Sequence, residues 1–419
     1  MKKLIILHII LAPIIQFLPI IGTVHAYLIF SLGLYYGLTD RSIDRLLFVI
    51  AYILGAELLW RGFGANVFWE FGKISILCNI LIIIFRIGVK SVKLNAGAIY
   101  IFFILPSILV IEQFSDFNHA LLGPIVIGFS VIVYSQLKIN QAILNNIIVS
   151  TLLPIITLFT ITFWDTMSIG SFNFTSAYIL RVETGGVGPN QMSNTLGLGA
   201  LLSFLYYLLN KNDPRSKYLL LFSVLSITQT ILTHSRGGFY NVAIAIVVFY
   251  YFEITNNRNK LKYISSVLIL FLFLNFALFP FLDNISGGSI LNRFKDTNLS
   301  SREDIIASEI VAFKQYPVFG IGPGQSRKYR WENFGNYKHS HTEYTRLLAE
   351  HGIFGIFALL TLIYLSFQIY KRKVGLEKSI SLAILVWSLL FMFHSATRLV
   401  APCLLFGFTT AQFQLKEIE

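Results

Sequence analysis

The sequence predicts an all-α polytopic membrane protein with about 12–14 transmembrane helices and one large periplasmic or outer loop. Of its 419 residues, 55% are hydrophobic and only 13% are charged, and the mean hydropathy is +0.68. A soluble domain carries about 25% charged residues. Apolar runs of about 16 to 22 residues, long enough to cross a bilayer as helices, recur along the chain. This composition excludes a soluble protein.

The apolar runs define the candidate helices in chain order. The first contains Pro13 and is short, so a count of about twelve or thirteen stays open. Lys2 and Lys3 precede it as in a signal peptide, but no small-residue cleavage site follows, and we expect a retained helix. The candidates are 4–18, 20–38, 43–61, 71–88, 94–112, 118–136, 142–163, 190–209, 216–233, 238–254, 261–282, 352–371, 378–394 and 397–413.

The distribution of basic residues predicts the orientation. When alternate loops are assigned to alternate faces, the face of the N-terminus holds 19 of the 33 basic residues. The other face holds 14, and nine of these lie in segment 283–351, whose length exempts it from the positive-inside rule. Both termini are therefore predicted to be cytoplasmic. The net charge of +12 is a topology signal and does not indicate a nucleic-acid partner.

Three parts follow from this topology: N-terminal transmembrane helices 1–282, an outer catalytic loop 283–351 and C-terminal transmembrane helices 352–419. A loop as long as 283–351 is usually functional. Within it, 301–317 predicts an amphipathic helix, capped by Ser301 and ended by Pro317, that could lie along the membrane surface. Its shared apolar face is formed by Ile306, Ile310 and Phe313.

The stretch HSHTEYTRLLAEHGIFG, residues 339–355, holds the candidate catalytic base. Ser340 and Glu343 have the spacing of a capping box, and Gly352 stands where a C-cap glycine is expected. His341 then falls in the first helical turn, where the helix dipole disfavours positive charge. A neutral imidazole suits a general base. The alternatives are a surface or capping histidine, and a metal site formed by His339, His341 and His351.

Basic and amide side chains on the outer face suggest an anion and glycan site. Arg236 lies in a minimal SRGG turn, where Gly237 and Gly238 allow close approach of a ligand at a helix N-terminus. Arg302, in the first turn of the amphipathic helix, indicates an external anionic partner. Arg61 follows Glu57 at an ion-pair spacing that fits a structural role as well as a functional one.

The segment RVETGGVGPNQMSN, opened by Arg181, adds three amides at the mouth of a helix: Asn190, Gln191 and Asn194. They could bind sugar hydroxyls or join neighbouring helices. A diphosphate leaving group suits the arginines, which would stabilise its developing charge, while His341 removes a proton from an acceptor hydroxyl. No metal and no cofactor is expected.

His341-Thr342, followed after nine residues by Gly352 and Gly355, resembles the motif of the O-antigen ligase and polysaccharide polymerase superfamily. The SRGG turn, the RVETGGVGPN entrance and the stretch from Arg302 to GIGPG (320–324) resemble it too, so the resemblance covers roughly 180–360. It implies a metal-independent transfer of glycan from undecaprenyl diphosphate on the periplasmic or outer face of the inner membrane. It further implies that His341 is the base.

By the same resemblance, Arg181, Arg236 and Arg302 contact the diphosphate. Arg293 and Arg327 are alternatives to Arg302. The donor would be an undecaprenyl-diphosphate-linked oligosaccharide, and the acceptor a second glycan or lipid A core. A chain-length regulator stays open as a further partner. We favour a polymerase of O-antigen or another surface polysaccharide. The alternatives are an O-antigen ligase and, outside enzymes, a transporter or flippase of lipid-linked glycan.

Overall fold

The computed structural model describes residues 2–40, 42–88, 95–110, 114–168, 187–233, 235–253, 302–336 and 338–415, with six single residues between 254 and 301. This part of the chain is almost wholly helical. Its elements are α1 (Lys2–Phe17), α2 (Pro19–Thr39), α3 (Asp44–Gly62), α4 (Phe71–Ile87), α5 (Ala96–Ile104), a 3-10 helix (Leu105–Val110), α6 (Phe114–Tyr134), β1 (Lys138–Asn140), α7 (Gln141–Ser168), α8 (Pro189–Leu209), α9 (Ser216–Leu232), α10 (Arg236–Glu253), α11 (Arg302–Gln315), α12 (Ser326–Phe334), α13 (Glu343–Arg372), α14 (Gly375–Ser395), α15 (Val400–Phe408) and β2 (Gln412–Gln414).

The all-α membrane fold is confirmed. Five helices in the described part are long and apolar enough to cross a membrane, namely α2, α7, α8, α13 and α14. Shorter apolar helices accompany them at 96–110, 120–134 and 216–232. Most predicted helices from 4–18 to 238–254 agree with an observed helix to within a few residues. The predicted helix 261–282 lies almost entirely outside the described residues.

The predicted helices 94–112 and 397–413 differ from those observed. The run 94–112 is α5 followed by a 3-10 helix, and the change falls beside Pro106, which has no N–H to donate to an α-helical bond. The run 397–413 is shorter than predicted, because α15 ends at Phe408 and the chain continues into β2. This strand pairs in parallel with β1, with Ile139 opposite Phe413.

The core follows the line of α3, α7 and α8, with α10, α14 and α15 packed around it. Apolar side chains fill it, yet α3 also buries an ion-pair network. Arg61 contacts Glu57 at 2.7 Å and Glu70 at 3.3 Å, and Lys73 of α4 contacts Glu70 at 2.8 Å. The Glu57–Arg61 pair predicted from spacing is therefore present. Because buried charges are costly unless paired, each of these side chains is held in one place.

The amphipathic helix is α11, and its buried face differs from the predicted one. Ile305, Ser308, Glu309 and Ala312 are buried, whereas Ile306, Ile310 and Phe313 are only half-buried. The buried face packs against α13, and the location of this helix along the membrane surface stays a prediction. Ser301, its expected cap, lies outside the described residues.

Helix α13 bends at Gly352, where φ is 58° and ψ is −135°. Residues 317–322, which include the start of the GIGPG stretch, dock into this bend through three backbone hydrogen bonds: Ile353 N–H to Pro317 O (2.8 Å), Ile321 N–H to Ala349 O (2.9 Å) and Gly322 N–H to Glu350 O (3.2 Å). A side chain at Gly352 would meet the backbone of Val318 and Gly320. Gly352 thus ends the first helical stretch of α13, as predicted, and a second helical stretch continues beyond it to Arg372.

Candidate functional site

The turn between α14 and α15, residues 396–399, is the scaffold of the site. Arg61 of α3 donates to Arg398 O at 2.8 Å, and Glu57 accepts from Val400 N–H at 2.7 Å. Glu343, at the start of α13, accepts from both the backbone N–H and the hydroxyl of Thr397. The buried ion pairs of α3 thus hold this turn against the N-terminus of α13.

The segment that carries His341 is fixed on two sides. On one side, the Arg330 guanidinium donates to Lys338 O (3.0 Å) and to Ser340 Oγ (3.2 Å). On the other, Arg398 donates to Ser340 O at 2.7 Å, and Ala396 N–H donates to His341 O at 3.0 Å. With its backbone held at both ends, His341 has little positional freedom.

Arg330 is itself 1% exposed and is held by α11. It pairs with Glu309 at 3.0 Å, and Glu309 also accepts from the Thr345 hydroxyl. Burial raises the pKa of Glu309, and its hydrogen bonds and Arg330 oppose that rise. Within segment 283–351, the described residues 302–336 and 338–351 therefore support the histidine segment.

His341 precedes the helix, so the predicted capping box is wrong. Thr342 is the N-cap, since its hydroxyl accepts from Tyr344 N–H, and Ser340 and Glu343 instead bond Arg330 and Arg346. Both side chains bond a charged guanidinium instead, because a hydrogen bond to a charged group is stronger than the neutral hydrogen bond of a cap. His341 lies one residue before the cap and outside the first turn.

A neutral His341 is nevertheless supported. Burial, followed by the nearby charges of Arg398 and Arg302, lowers its pKa to about 3. The predicted direction is thus confirmed, but its cause is desolvation and arginines. The buried Nδ1 atom has no hydrogen-bond partner among the described residues. His341 is therefore an uncharged imidazole held among cations, which is the state that a general base needs.

Two of the three predicted diphosphate arginines converge on a residue that sequence reasoning missed, His394, in the last turn of α14. Arg302 Nη1 lies 3.0 Å from His394 Nδ1, with the guanidinium as donor. Arg236 and His341 are both close enough to act on His394 electrostatically, as is Arg398. Arg181 lies outside the described residues, as does Arg293.

The two glycines of the SRGG turn were predicted to allow close approach of a ligand, but in the structure they are packed against other helices of the protein. A Cβ at Gly237 would collide with the His394 ring, and one at Gly238 would collide with the backbone and hydroxyl of Ser193. The close approach that these glycines allow is therefore to α14 and α8, which brings Arg236 beside His394. A ligand is not needed to explain them.

The three predicted amides separate in the structure. Asn194 accepts from Asn241 Nδ2 at 2.5 Å, and Asn190 accepts from the Ser235 hydroxyl at 2.8 Å, so both join α8 to the SRGG turn or to α10. Gln191 instead lines a cavity, and its Oε1 atom is buried with no partner in the part of the chain that the structure describes. Only Gln191 among the three has the geometry of a ligand-binding amide.

His351 does not join His341. It is fully buried in α13 and hydrogen-bonded to Ser107 Oγ at 2.6 Å, which ties α13 to the 3-10 helix. Across the described residues, no three His, Cys, Asp or Glu side chains are grouped as metal ligands. The metal set considered from the sequence is thus not assembled in this geometry.

A cavity of about 590 Å³ opens beside the histidine segment. Its wall includes Ser340 and Arg398 on one side, Trp69, Glu70 and Lys73 on another, and Gln191 at the start of α8. Arg327, the alternative to Arg302, also lines it. Arg398 is the second residue that sequence reasoning did not select; burial and neighbouring arginines lower its pKa to about 10, so it stays charged at neutral pH.

Comparison with known proteins agrees with this geometry. Residues 221–360 match the family model described as O-antigen ligase. The match spans most of α9, all of α10, α11 and α12, and the part of α13 that carries Gly352 and Gly355. No curated protein shows significant similarity to the chain. Residues 221–360 of this multi-pass membrane chain are thus similar to the O-antigen ligase family.

Proposed function

We propose that this protein is a membrane glycosyltransferase that transfers a glycan from undecaprenyl diphosphate to an acceptor sugar hydroxyl on the periplasmic or outer face of the inner membrane. Its main product would be a polymer of O-antigen or other surface polysaccharide repeats. The family match supports a ligase- or polymerase-type reaction. The proposed roles of a general base and a diphosphate site are supported by one observation: His341 is neutral, held in place and surrounded by arginines.

In the proposed reaction, His341 accepts the proton of the acceptor hydroxyl. The hydroxyl oxygen attacks the anomeric carbon of the donor sugar, and the bond from that carbon to the phosphate oxygen breaks. Undecaprenyl diphosphate leaves with the bonding electron pair. Arg236 and Arg302, with Arg181, would stabilise its charge, as preorganised cations do at a leaving group. In this scheme His341 removes the proton and the arginines stabilise the leaving diphosphate, so the scheme requires no metal.

His394 would support Arg302 in this site. Arg302 Nη1 lies 3.0 Å from His394 Nδ1 and its Nη2 lies 3.4 Å from Nε2, so the guanidinium donates to a neutral imidazole, since a protonated ring has no acceptor nitrogen. A neutral partner orients the arginine without cancelling its charge, whereas a carboxylate would compete with the diphosphate. This arrangement favours an anionic substrate group at the Arg302 side of His341.

The alternative is an O-antigen ligase that transfers the glycan to lipid A core. The discriminating experiment is incubation of the purified protein with lipid-linked repeat alone and with added lipid A core. Chain growth without core identifies a polymerase, and product formed only with core identifies a ligase. No product in either reaction would contradict the proposal.

A transporter of lipid-linked glycan is distinguished in cells. Loss of His341 in a transferase leaves lipid-linked repeats on the outer face but unjoined, whereas a failed flippase leaves them facing the cytoplasm. The proposed parts are then 1–282 and 352–419 as the membrane scaffold and 283–351 as the catalytic outer segment, with both termini cytoplasmic.

A further inference from the structure

The cavity beside His341 is distinct from the cluster of Arg236, Arg302 and His394. None of these three residues lines it, whereas the neighbours of His341 in the chain, His339 and Ser340, do. Arg398 is common to both sides, because it lines the cavity and also acts electrostatically on His341 and His394. The histidine segment therefore contacts the cavity through His339 and Ser340, while His341 interacts electrostatically with Arg302 and His394.

Gln191 offers the cavity a hydrogen-bond acceptor that a polar ligand could use. Its side chain is only 5% exposed, it lines the cavity, and its Oε1 atom has no hydrogen-bond partner among the described residues. A buried amide oxygen without a donor is unfavourable, and native proteins rarely leave one unsatisfied. A ligand with a hydroxyl or amide donor would satisfy it.

Charges of both signs line the cavity, namely the carboxylates Glu70 and Glu350 and the cations Lys73, Arg327, Arg346 and Arg398. Lys73 is paired with Glu70 at 2.8 Å, and Arg346 is paired with Glu350 at 2.9 Å. These two cations are already neutralised by carboxylates that also line the cavity. The cations are hydrogen-bond donors and the carboxylates are acceptors, so this lining suits a ligand that carries several hydroxyl groups.

Trp69 gives the cavity an apolar side. It is 41% exposed, and one face of its ring is covered by the Arg61 guanidinium at 4.8 Å. A sugar ring has an apolar face of C–H groups and a polar rim, so an aromatic plate with convergent polar groups is complementary to it. The volume of about 590 Å³ lies within the range of about 300–1,000 Å³ typical of small-ligand sites.

We infer that this cavity is the acceptor subsite, which binds the terminal sugars of the acceptor glycan through Trp69, Gln191 and the Glu70 and Glu350 carboxylates. This inference rests on the proposed function. It places the acceptor on the Trp69 side of His341 and the donor diphosphate on the His394 side. His341 would then lie between the hydroxyl that it deprotonates and the anomeric carbon that is attacked.

The test compares Trp69→Ala and Gln191→Leu with the wild type as full-length protein in nanodiscs. The probe is the repeat-unit oligosaccharide, released from its carrier by mild acid and labelled at its reducing end, with saturating lipid-linked repeat as donor. We expect the acceptor KM to rise about threefold to tenfold in Gln191→Leu, as for loss of a hydrogen bond, and about tenfold in Trp69→Ala. The donor KM and kcat should stay within about twofold.

Two control variants separate binding from folding. Trp164→Ala removes another exposed tryptophan that does not line the cavity. Gln229→Leu removes a buried amide that bonds Thr166 Oγ1 at 2.9 Å between helices, so it should lower thermal stability without changing the acceptor KM. An unchanged acceptor KM in both cavity variants, or a rise in donor KM instead, would overturn the inference.

Direct binding keeps this inference testable if the proposed function fails. The labelled oligosaccharide is titrated against wild type and Trp69→Ala, and its fluorescence anisotropy is followed. Binding that Trp69→Ala weakens would support a glycan subsite even in a wild-type protein that transfers nothing. Equal binding by the two proteins, or no binding by either, would overturn it.

Discussion

Replacement of Gly352 by alanine should destabilise the protein more than its small size suggests. The backbone at this position, with φ 58° and ψ −135°, lies in a region that non-glycine residues avoid at a cost of about 1–3 kcal/mol. A Cβ would also stand 2.5 Å from Val318 O and 2.7 Å from Gly320 N. Relief of such contacts costs about 1–3 kcal/mol more. We therefore expect a loss of about 4 kcal/mol in the free energy of unfolding.

Gly335→Ala is the matched control. Gly335 also has a positive φ, 63°, at the end of α12, but no atom lies within 4 Å of its added Cβ. It should lose only about 1 kcal/mol, from backbone strain alone. The assay is SDS titration in mixed micelles followed by far-UV circular dichroism, with transfer measured on the same samples. Equal destabilisation by the two substitutions would refute the argument that docking of 317–322 into the bend requires glycine.

The other predictions concern chemistry and topology. His341→Ala should lower the transfer rate about 100- to 10,000-fold, and His339→Ala far less, both with chelator present; equal losses together with inhibition by chelator would favour a metal site. Because the pKa of His341 is held at about 3, the wild-type rate should stay level as the pH falls through 6.5. The free energy of unfolding should decrease over that range, since the unfolded histidine binds a proton that the folded one does not; a rate that halves near pH 6.5 would contradict this. Arg236→Lys keeps the charge but loses the planar fork, so transfer should fall about tenfold while the fold persists. Wild-type rates in Arg236→Lys and Arg236→Ala would remove this residue from the mechanism. A cysteine at exposed Glu332 should react with a membrane-impermeant maleimide in intact cells, and one at Lys211 should not; the reverse would invert the topology.

Helix positions were largely predictable because the bilayer constrains each segment separately. A membrane-spanning helix must satisfy its own backbone and present apolar side chains, and both requirements are visible in a run of consecutive residues. The predicted boundaries of α2, α3, α8 and α14 accordingly lie within about three residues of those observed. The sequence-based boundaries were wrong where other contacts intervene, as at the end of α15, where the parallel pairing of β2 with β1 ends the helix.

The site was predictable in part. The motif selected His341, the SRGG turn selected Arg236, and the first turn of the amphipathic helix selected Arg302. The sequence could not reveal His394, because this residue ends an apolar run and belongs to no motif. Arg398 did leave a signal, since it is one of only five basic residues in short outer loops. That count alone does not distinguish it from the structural Arg61 and Lys73.

Local sequence therefore determined the membrane fold and the identity of the candidate base. The neutral state of His341 was predicted in direction, but its cause is tertiary, namely burial beside Arg398 and Arg302. Only tertiary structure decided which amide faces a cavity, because Asn190, Gln191 and Asn194 share one helix end and differ only in what packs against them. The physical reason is that desolvation and charge pairing depend on distances between groups far apart in the chain, and no single segment encodes them.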